Sequence, residues 1–106
     1  MALIRKSSQT VVDRIERDSD FAKAVLDEAT TLFLNGEPET ARLLLRDLVN
    51  ATIGFESLSR LTRVPAKSLH RMLSGRGNPT MDNLSGILGA LRKKLRVRLR
   101  ARTVAA

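Results

Sequence analysis

A chain of 106 residues is long enough for one domain with a single core and too short for a catalytic cleft between two domains. It has no cysteine, which excludes disulfides and cysteine-ligated metal and fits a reducing compartment; with no apolar run near the ~20 residues of a membrane span, and no uninterrupted apolar stretch in MALIRKSSQT to act as a signal peptide, a soluble cytoplasmic protein is expected. The net charge of +8 is unevenly spread: residues 1–52 sum to −2, residues 53–91 to +3 and residues 92–106, with seven basic groups and no acidic one, to +7.

In chain order, Met1 to Ser8 is short and mixed and is expected to be extended or mobile. Thr10 suits the N-cap of a first helix with Val11, Val12 and Ile15 on its apolar side and Asp13 and Glu16 where the macrodipole favours acids. Ser19 suits a second N-cap. From there Phe21, Val25, Leu26, Ala29, Leu32 and Phe33 recur at helical spacing up to the stop signal Asn35-Gly36, predicting a helix over 20–34 with both phenylalanines in the core. Pro38 opens a third helix whose stripe of Ala41, Leu44, Leu45, Leu48, Val49 and Thr52 ends near Gly54.

Phe55 to Leu73, reading FESLSRLTRVPAKSLHRML, predicts two short helices joined tightly. The first runs from about Phe55 to Thr62 and the second from Pro65 or Ala66 to Ser74, punctuated by apolar Leu58, Leu61, Val64, Leu69, Met72 and Leu73, a helix-turn-helix layout. Small Ser59 is expected where the second helix crosses close by. Residues 74–79 are loop-forming, and Thr80 caps a last helix with Leu84, Ile87, Leu88 and Leu91 facing inward. The tail Leu95-Arg96-Val97-Arg98-Leu99-Arg100 alternates apolar and basic residues. That period fits a strand pairing with Ala2 to Arg5 or with a second subunit, although Leu84, Leu88, Leu91, Leu95 and Leu99 also fit a helix; Val97 and the strict alternation favour the strand. The expected fold is therefore all-α, about six helices with a short C-terminal β-strand used in dimerisation. It divides into N-terminal helices with a partner-binding face (1–54), the helix-turn-helix region of the same domain (55–91) and a basic tail (92–106).

In a helix-turn-helix the second helix lies in the major groove of duplex DNA and its early residues reach base edges. Here it offers Ala66, Lys67, Ser68, His70 and Arg71. Lys67 and Arg71, four apart, share the side opposite Leu69, Met72 and Leu73. Arg71 is the expected base reader, since a guanidinium bonds guanine bidentately; Lys67 suits a base or a phosphate, Ala66 a thymine methyl, and Ser68 a phosphate or the helix cap. Arg76 and Asn78 in the following loop suit sugar-phosphate contacts. His70, the single histidine, suits a phosphate contact better than metal or proton transfer, having neither cysteine nor a second histidine to join it. GRGN lacks the spacing of a phosphate-binding loop, and no nucleophile, carboxylate pair or metal cluster stands out, so neither an enzyme nor a cofactor is expected. No aromatic residues interleave with the tail's cations, which therefore suit duplex backbone or an acidic protein better than unpaired bases. The alternative to sequence-specific DNA binding is an interaction module that acts through the acidic N-terminal helices.

The run NATIGFESLSRLTRVPAKSLHRMLSGRGNPTMDNL, with RDSDFAKAVLDEA before it, resembles the bacterial addiction-module antidote (HigA-like antitoxin) family of lambda-repressor-type helix-turn-helix regulators. The likeness covers about residues 1–91, and its most specific part is IGFESL followed by PAKSLHRML and GNPT. It implies a homodimer that represses its own operon, pairs with a RelE- or ParE-like toxin and contacts bases through the positions of Ala66, Lys67 and Arg71. The chain departs from the family at Arg63, where the turn often carries glycine, and at Lys93-Lys94, which enter the tail without one. An arginine in the turn must adopt the left-handed conformation at some cost or be accommodated by a different turn.

Overall fold

In a computed structural model, which describes the backbone from Ala2 to Ala106 and the side chains from Ser8 onward, the described residues form six helices with short connections and a non-helical tail from residue 96, and no strand occurs among them. They are α1 (Ala2–Arg17), α2 (Ser19–Leu34), α3 (Pro38–Ala51), α4 (Phe55–Thr62), α5 (Ala66–Met72) and α6 (Met81–Leu95).

The first departure from expectation is at the N-terminus. Ala2 to Ser8 is the start of α1 rather than an extended lead, and Thr10 lies inside the helix instead of capping it; Met1 lies outside the described residues. The sequence from Ala2 to Arg17 contains no glycine or proline and is rich in good helix formers, so nothing local stops the helix at Thr10. Tertiary bonding also holds this segment, because Ser8 Oγ donates to Asp47 Oδ1 on α3 at 2.6 Å.

Capping explains most of the other boundaries. The N-cap of α2 is Asp18, one residue before the expected Ser19; its carboxylate accepts from the backbone N–H groups of Asp20 and Phe21, both at 3.1 Å. α2 ends where Glu37 N–H reaches Leu32 O and Gly36 N–H reaches Phe33 O, the paired bonds of a Schellman motif, with Gly36 at φ 81°. Pro38 occupies the first turn of α3, and Thr80 Oγ1 accepts from Asn83 N–H to start α6, both as expected. α5 stops at Met72, two residues short of the expected Ser74, with Leu73 as its C-cap.

All six helices feed one core: Ile15 of α1, Leu26 of α2, Leu45 and Leu48 of α3, Leu58 of α4, Leu69 of α5, and Ile87 and Leu91 of α6 are buried in a single cluster. The Cα radius of gyration of 13.2 Å is that of a one-core domain of this length, about 13 Å by the usual scaling. α2 packs along α3, α1 lies against both, and α6 closes the body against α4 and α2. Phe21 and Phe33 are half-buried and pack on the edge of the core, and the Arg14 guanidinium sits 4.1 Å from the Phe21 ring centroid. Leu61, one of the apolar residues that punctuate the helix-turn-helix stretch, is 66 % exposed.

The C-terminal strand is corrected. α6 continues through Lys93-Lys94 to Leu95, and Arg96 then turns left-handed (φ 57°, ψ 47°), with Val97 N–H bonding Arg92 O at 3.0 Å and Arg96 N–H bonding Lys93 O at 3.2 Å. That is a second Schellman motif, with arginine where Gly36 sits in the first. The expected intrachain partner, Ala2 to Arg5, is itself helical. The alternation is nonetheless realised in three dimensions: Val97 and Leu99 are half-buried against the core while Arg96, Arg98 and Arg100 are exposed. Leu99 to Val104 lines a cleft beside Asp27, Thr30 and Leu34 of α2. A period of two sorts side chains to opposite faces of any extended chain, whether or not its backbone is paired.

Candidate nucleic-acid interface

α4 and α5 are joined by Arg63, Val64 and Pro65, and the joint is built from few bonds. Arg63 adopts the left-handed conformation (φ 60°, ψ 29°), and its N–H bonds Ser59 O at 2.8 Å. Ser59 Oγ then donates to Val64 O at 2.7 Å, so this small residue ties the turn through its hydroxyl and does more than make room for a crossing helix. Pro65, at φ −55°, cannot extend α4, and its carbonyl accepts from Leu69 N–H to begin α5.

With the turn fixed, burial of Leu69 and Leu73 decides which side of α5 faces out. Lys67 and Arg71 are exposed on one side, as expected from their spacing. Ser68 is half-buried. Ala66 is half-buried and packs against the core, so its methyl already has apolar neighbours within the chain. His70 is exposed at its edge, but its ring stacks on Phe55 with centroids 3.7 Å apart and planes 19° from parallel. Stacking gives this residue a fold role that the sequence did not announce: it pins α5 to the start of α4.

Arg76 and Asn78 are exposed on the loop after α5, and two features hold that loop in place. Arg42 of α3 donates Nε to Ser74 O at 3.0 Å and an Nη to Gly75 O at 2.9 Å. Gly77 lies so close to the end of α5 that a Cβ there would collide with the Met72 carbonyl and come 2.6 Å from Arg71 O. Its own N–H bonds Ser74 O at 3.0 Å. Arg60 and Arg63 add further exposed cations on α4 and the turn. From residue 57 to 81 the chain carries five basic residues, all exposed, and no carboxylate.

Lys67, Arg71, Arg76 and Asn78 thus lie exposed on two consecutive segments; His70 is exposed as well but its ring is stacked on Phe55, and Ala66 is half-buried against the core. Arg42 and Gly77 were missed. Arg42 is separated from Ser74 by 32 residues, and nothing local distinguishes it from a solvated arginine. Gly77 had a readable signal, being the second glycine of Gly75-Arg76-Gly77, but composition marks a loop without showing what it touches. Compared with known families, curated proteins and solved structures, the chain matches none. Among the described residues no helix is long and apolar enough to cross a membrane.

Proposed function

We propose that the chain is a sequence-specific DNA-binding regulator that reads duplex DNA with α5 in the major groove. The observation that carries this reading is the polarity of α5: Leu69 is buried in the common core while Lys67 and Arg71 project outward from a 25-residue stretch free of carboxylates. Such a surface attracts a phosphate backbone, and a guanidinium beside it can discriminate guanine. On this reading Arg71 reads a base, Lys67 a base or phosphate, and Arg76 and Asn78 hold a sugar-phosphate strand. The regulator acts as a homodimer of the lambda-repressor kind on a two-fold operator with half-sites roughly 34 Å apart or a multiple of that. The antitoxin role is supported by the sequence resemblance and by the net negative charge of residues 1–52, against the basic remainder of the chain, and would pair the chain with a RelE- or ParE-like toxin.

Gel-shift titration against the protein's own upstream DNA and random duplex, at two salt concentrations, tests the DNA reading. Arg71→Ala is expected to lose about 1–3 kcal/mol of discrimination between the two. Lys67→Ala, if it frees a phosphate, weakens binding to both and lowers the salt slope by about 0.9. If neither substitution changes discrimination, α5 is not the reading helix. A small toxin encoded alongside should co-purify with the native protein; failure to capture any neighbouring product leaves a regulator without a toxin.

A further inference from the structure

An open groove of about 430 Å³ lies between α4 and α6, with Leu61 and Thr62 on one side and Asp82, Gly86, Gly89 and Lys93 on the other. Packing within the chain leaves two of its features unexplained. Leu61 is 66 % exposed although it is a large apolar residue. Gly86 and Gly89 lie in the interior of α6, where glycine is the poorest helix former after proline, and neither has the positive φ that would require it. A Cβ at Gly89 would meet nothing within 4 Å, and one at Gly86 would make only an ordinary 3.8 Å contact with Thr62. Nothing in a single copy therefore needs these positions bare, whereas a second backbone approaching closely does.

The spacing of the α6 residues identifies the visitor. Of the α6 residues that line the groove, Asp82, Gly86, Gly89 and Lys93 recur at intervals of four, three and four, which at 3.6 residues per turn places them within an arc of about 60°, with Asn83 and Ala90 to one side of it. The pattern is symmetric about the midpoint between Ile87 and Leu88, with opposite charges at its two ends. We propose that this groove docks a second copy of the chain, α6 antiparallel to α6 across a two-fold axis, with the glycines at the crossing and Asp82 of each copy beside Lys93 of the other. Either charge alone would also be explained by the dipole of its own helix. The bare crossing between them and the uncovered Leu61 are not so explained. A polyanion is a poor occupant of a groove that presents Asp82, and a second copy matches both ends at once. The inference deepens the two-fold reading above by supplying its seam, and its test needs no DNA.

Sedimentation equilibrium of the full chain, with helicity followed by circular dichroism, decides the matter. The wild-type protein should be a reversible dimer. Gly89→Leu, which replaces a poor helix former with a good one at a position where a Cβ meets nothing within 4 Å in the single copy, should keep its helicity and raise the dissociation constant at least about tenfold. Leu61→Ser should weaken the dimer in the same direction. Asp82→Lys and Lys93→Asp should each weaken it, and the double variant should recover much of the loss. A wild-type monomer at all concentrations up to about 1 mM overturns the proposal. So does a dimer that Gly89→Leu leaves intact, or one that dissociates only when residues 97–106 are removed. Loss of base discrimination tracks Lys67 and Arg71 independently: variants there that still dimerise but read DNA like wild type sink the DNA reading and leave the seam standing.

Discussion

Arg42→Ala should uncouple the loop after α5 from the rest of the molecule. The guanidinium makes two charge-assisted bonds, to Ser74 O at 3.0 Å and Gly75 O at 2.9 Å, from a half-buried position. Bonds from charged donors contribute about 1.5–3 kcal/mol each when buried; with the side chain partly in water, about 2 kcal/mol for the pair is reasonable. If the loop melts with the body, that lowers the melting temperature by roughly 8–16 °C for a domain of this size. If it melts first, the cost appears locally as faster amide exchange at Gly75 and Gly77, with little change in the global transition. On the second route the segment carrying Arg76 and Asn78 loses order in the folded protein, so on the DNA reading the salt slope falls by about 0.9 for each phosphate no longer held, whereas base discrimination through Arg71 is largely retained. Arg42→Lys cannot form the fork and should recover at most about half of the stability. Exchange, melting and salt slope all unchanged in Arg42→Ala would refute the idea that this arginine holds the loop.

Arg63→Gly should stabilise the protein by about 1 kcal/mol, because a left-handed residue with a Cβ costs about 1–2 kcal/mol and glycine returns part of that gain as chain entropy; a lower melting temperature would mean that the Arg63 side chain contributes more than its backbone costs. Gly77→Ala places a Cβ against the Met72 and Arg71 carbonyls and should destabilise by roughly 2–3 kcal/mol, since backbone cannot swing aside as a side chain can; an unperturbed urea midpoint would show that the loop has another conformation available. Burial raises the Asp47 carboxyl above its ordinary value of 3.8, against the opposing effects of the Ser8 hydrogen bond and the Arg46 charge. Between 3.8 and that raised value the folded state holds more protons than the unfolded one, so stability falls as pH rises through this window and the penalty is fully present at neutral pH. Asp47→Asn keeps an acceptor for Ser8 Oγ and should be at least as stable as wild type at pH 7, without the wild-type gain on acidification through the window; urea midpoints measured from pH 3 to 7 that show a clear loss at pH 7 would sink the burial explanation.

Local signals in this chain were readable at most places where one short segment determines its own conformation, the start of α1 being the exception, where Thr10 offered a cap that the helix runs through. Pro38, Thr80 and the Asn35-Gly36 stop mark boundaries because their effects reach only three or four residues. The apolar stripes of α2, α3 and α6 identify Leu26, Leu45, Leu48, Ile87 and Leu91 because a helix with one apolar side has only one way to bury it. The outward direction of Lys67 and Arg71 followed from the same periodicity. Stacking of His70 on Phe55 and the hold of Arg42 on Ser74 and Gly75 were not readable, since each joins segments that folding brings together and neither residue is unusual for its neighbourhood.

The tail shows a different kind of limit. Alternation from Leu95 to Arg100 reported correctly which side chains would be covered, yet the hydrogen-bonded strand inferred from it is not present in the single chain. Side-chain period constrains where residues point; pairing depends on whether a second edge is within reach, and α1 has used Ala2 to Arg5 in a helix. What ends α6 is a backbone event, the left-handed Arg96, and arginine carries no sequence mark of a stop as Gly36 does at the equivalent place in α2. Arg63 ends α4 in the left-handed conformation as well. In both places the chain tolerates a left-handed arginine where glycine would be easier, and in both it thereby keeps an exposed cation at the end of a helix, where the macrodipole favours positive charge. The strain is thus partly offset where it arises. On the DNA reading, Arg63→Gly should give a more stable protein that binds duplex more weakly at low salt, and a variant improved in both respects would show that the Arg63 charge serves no partner.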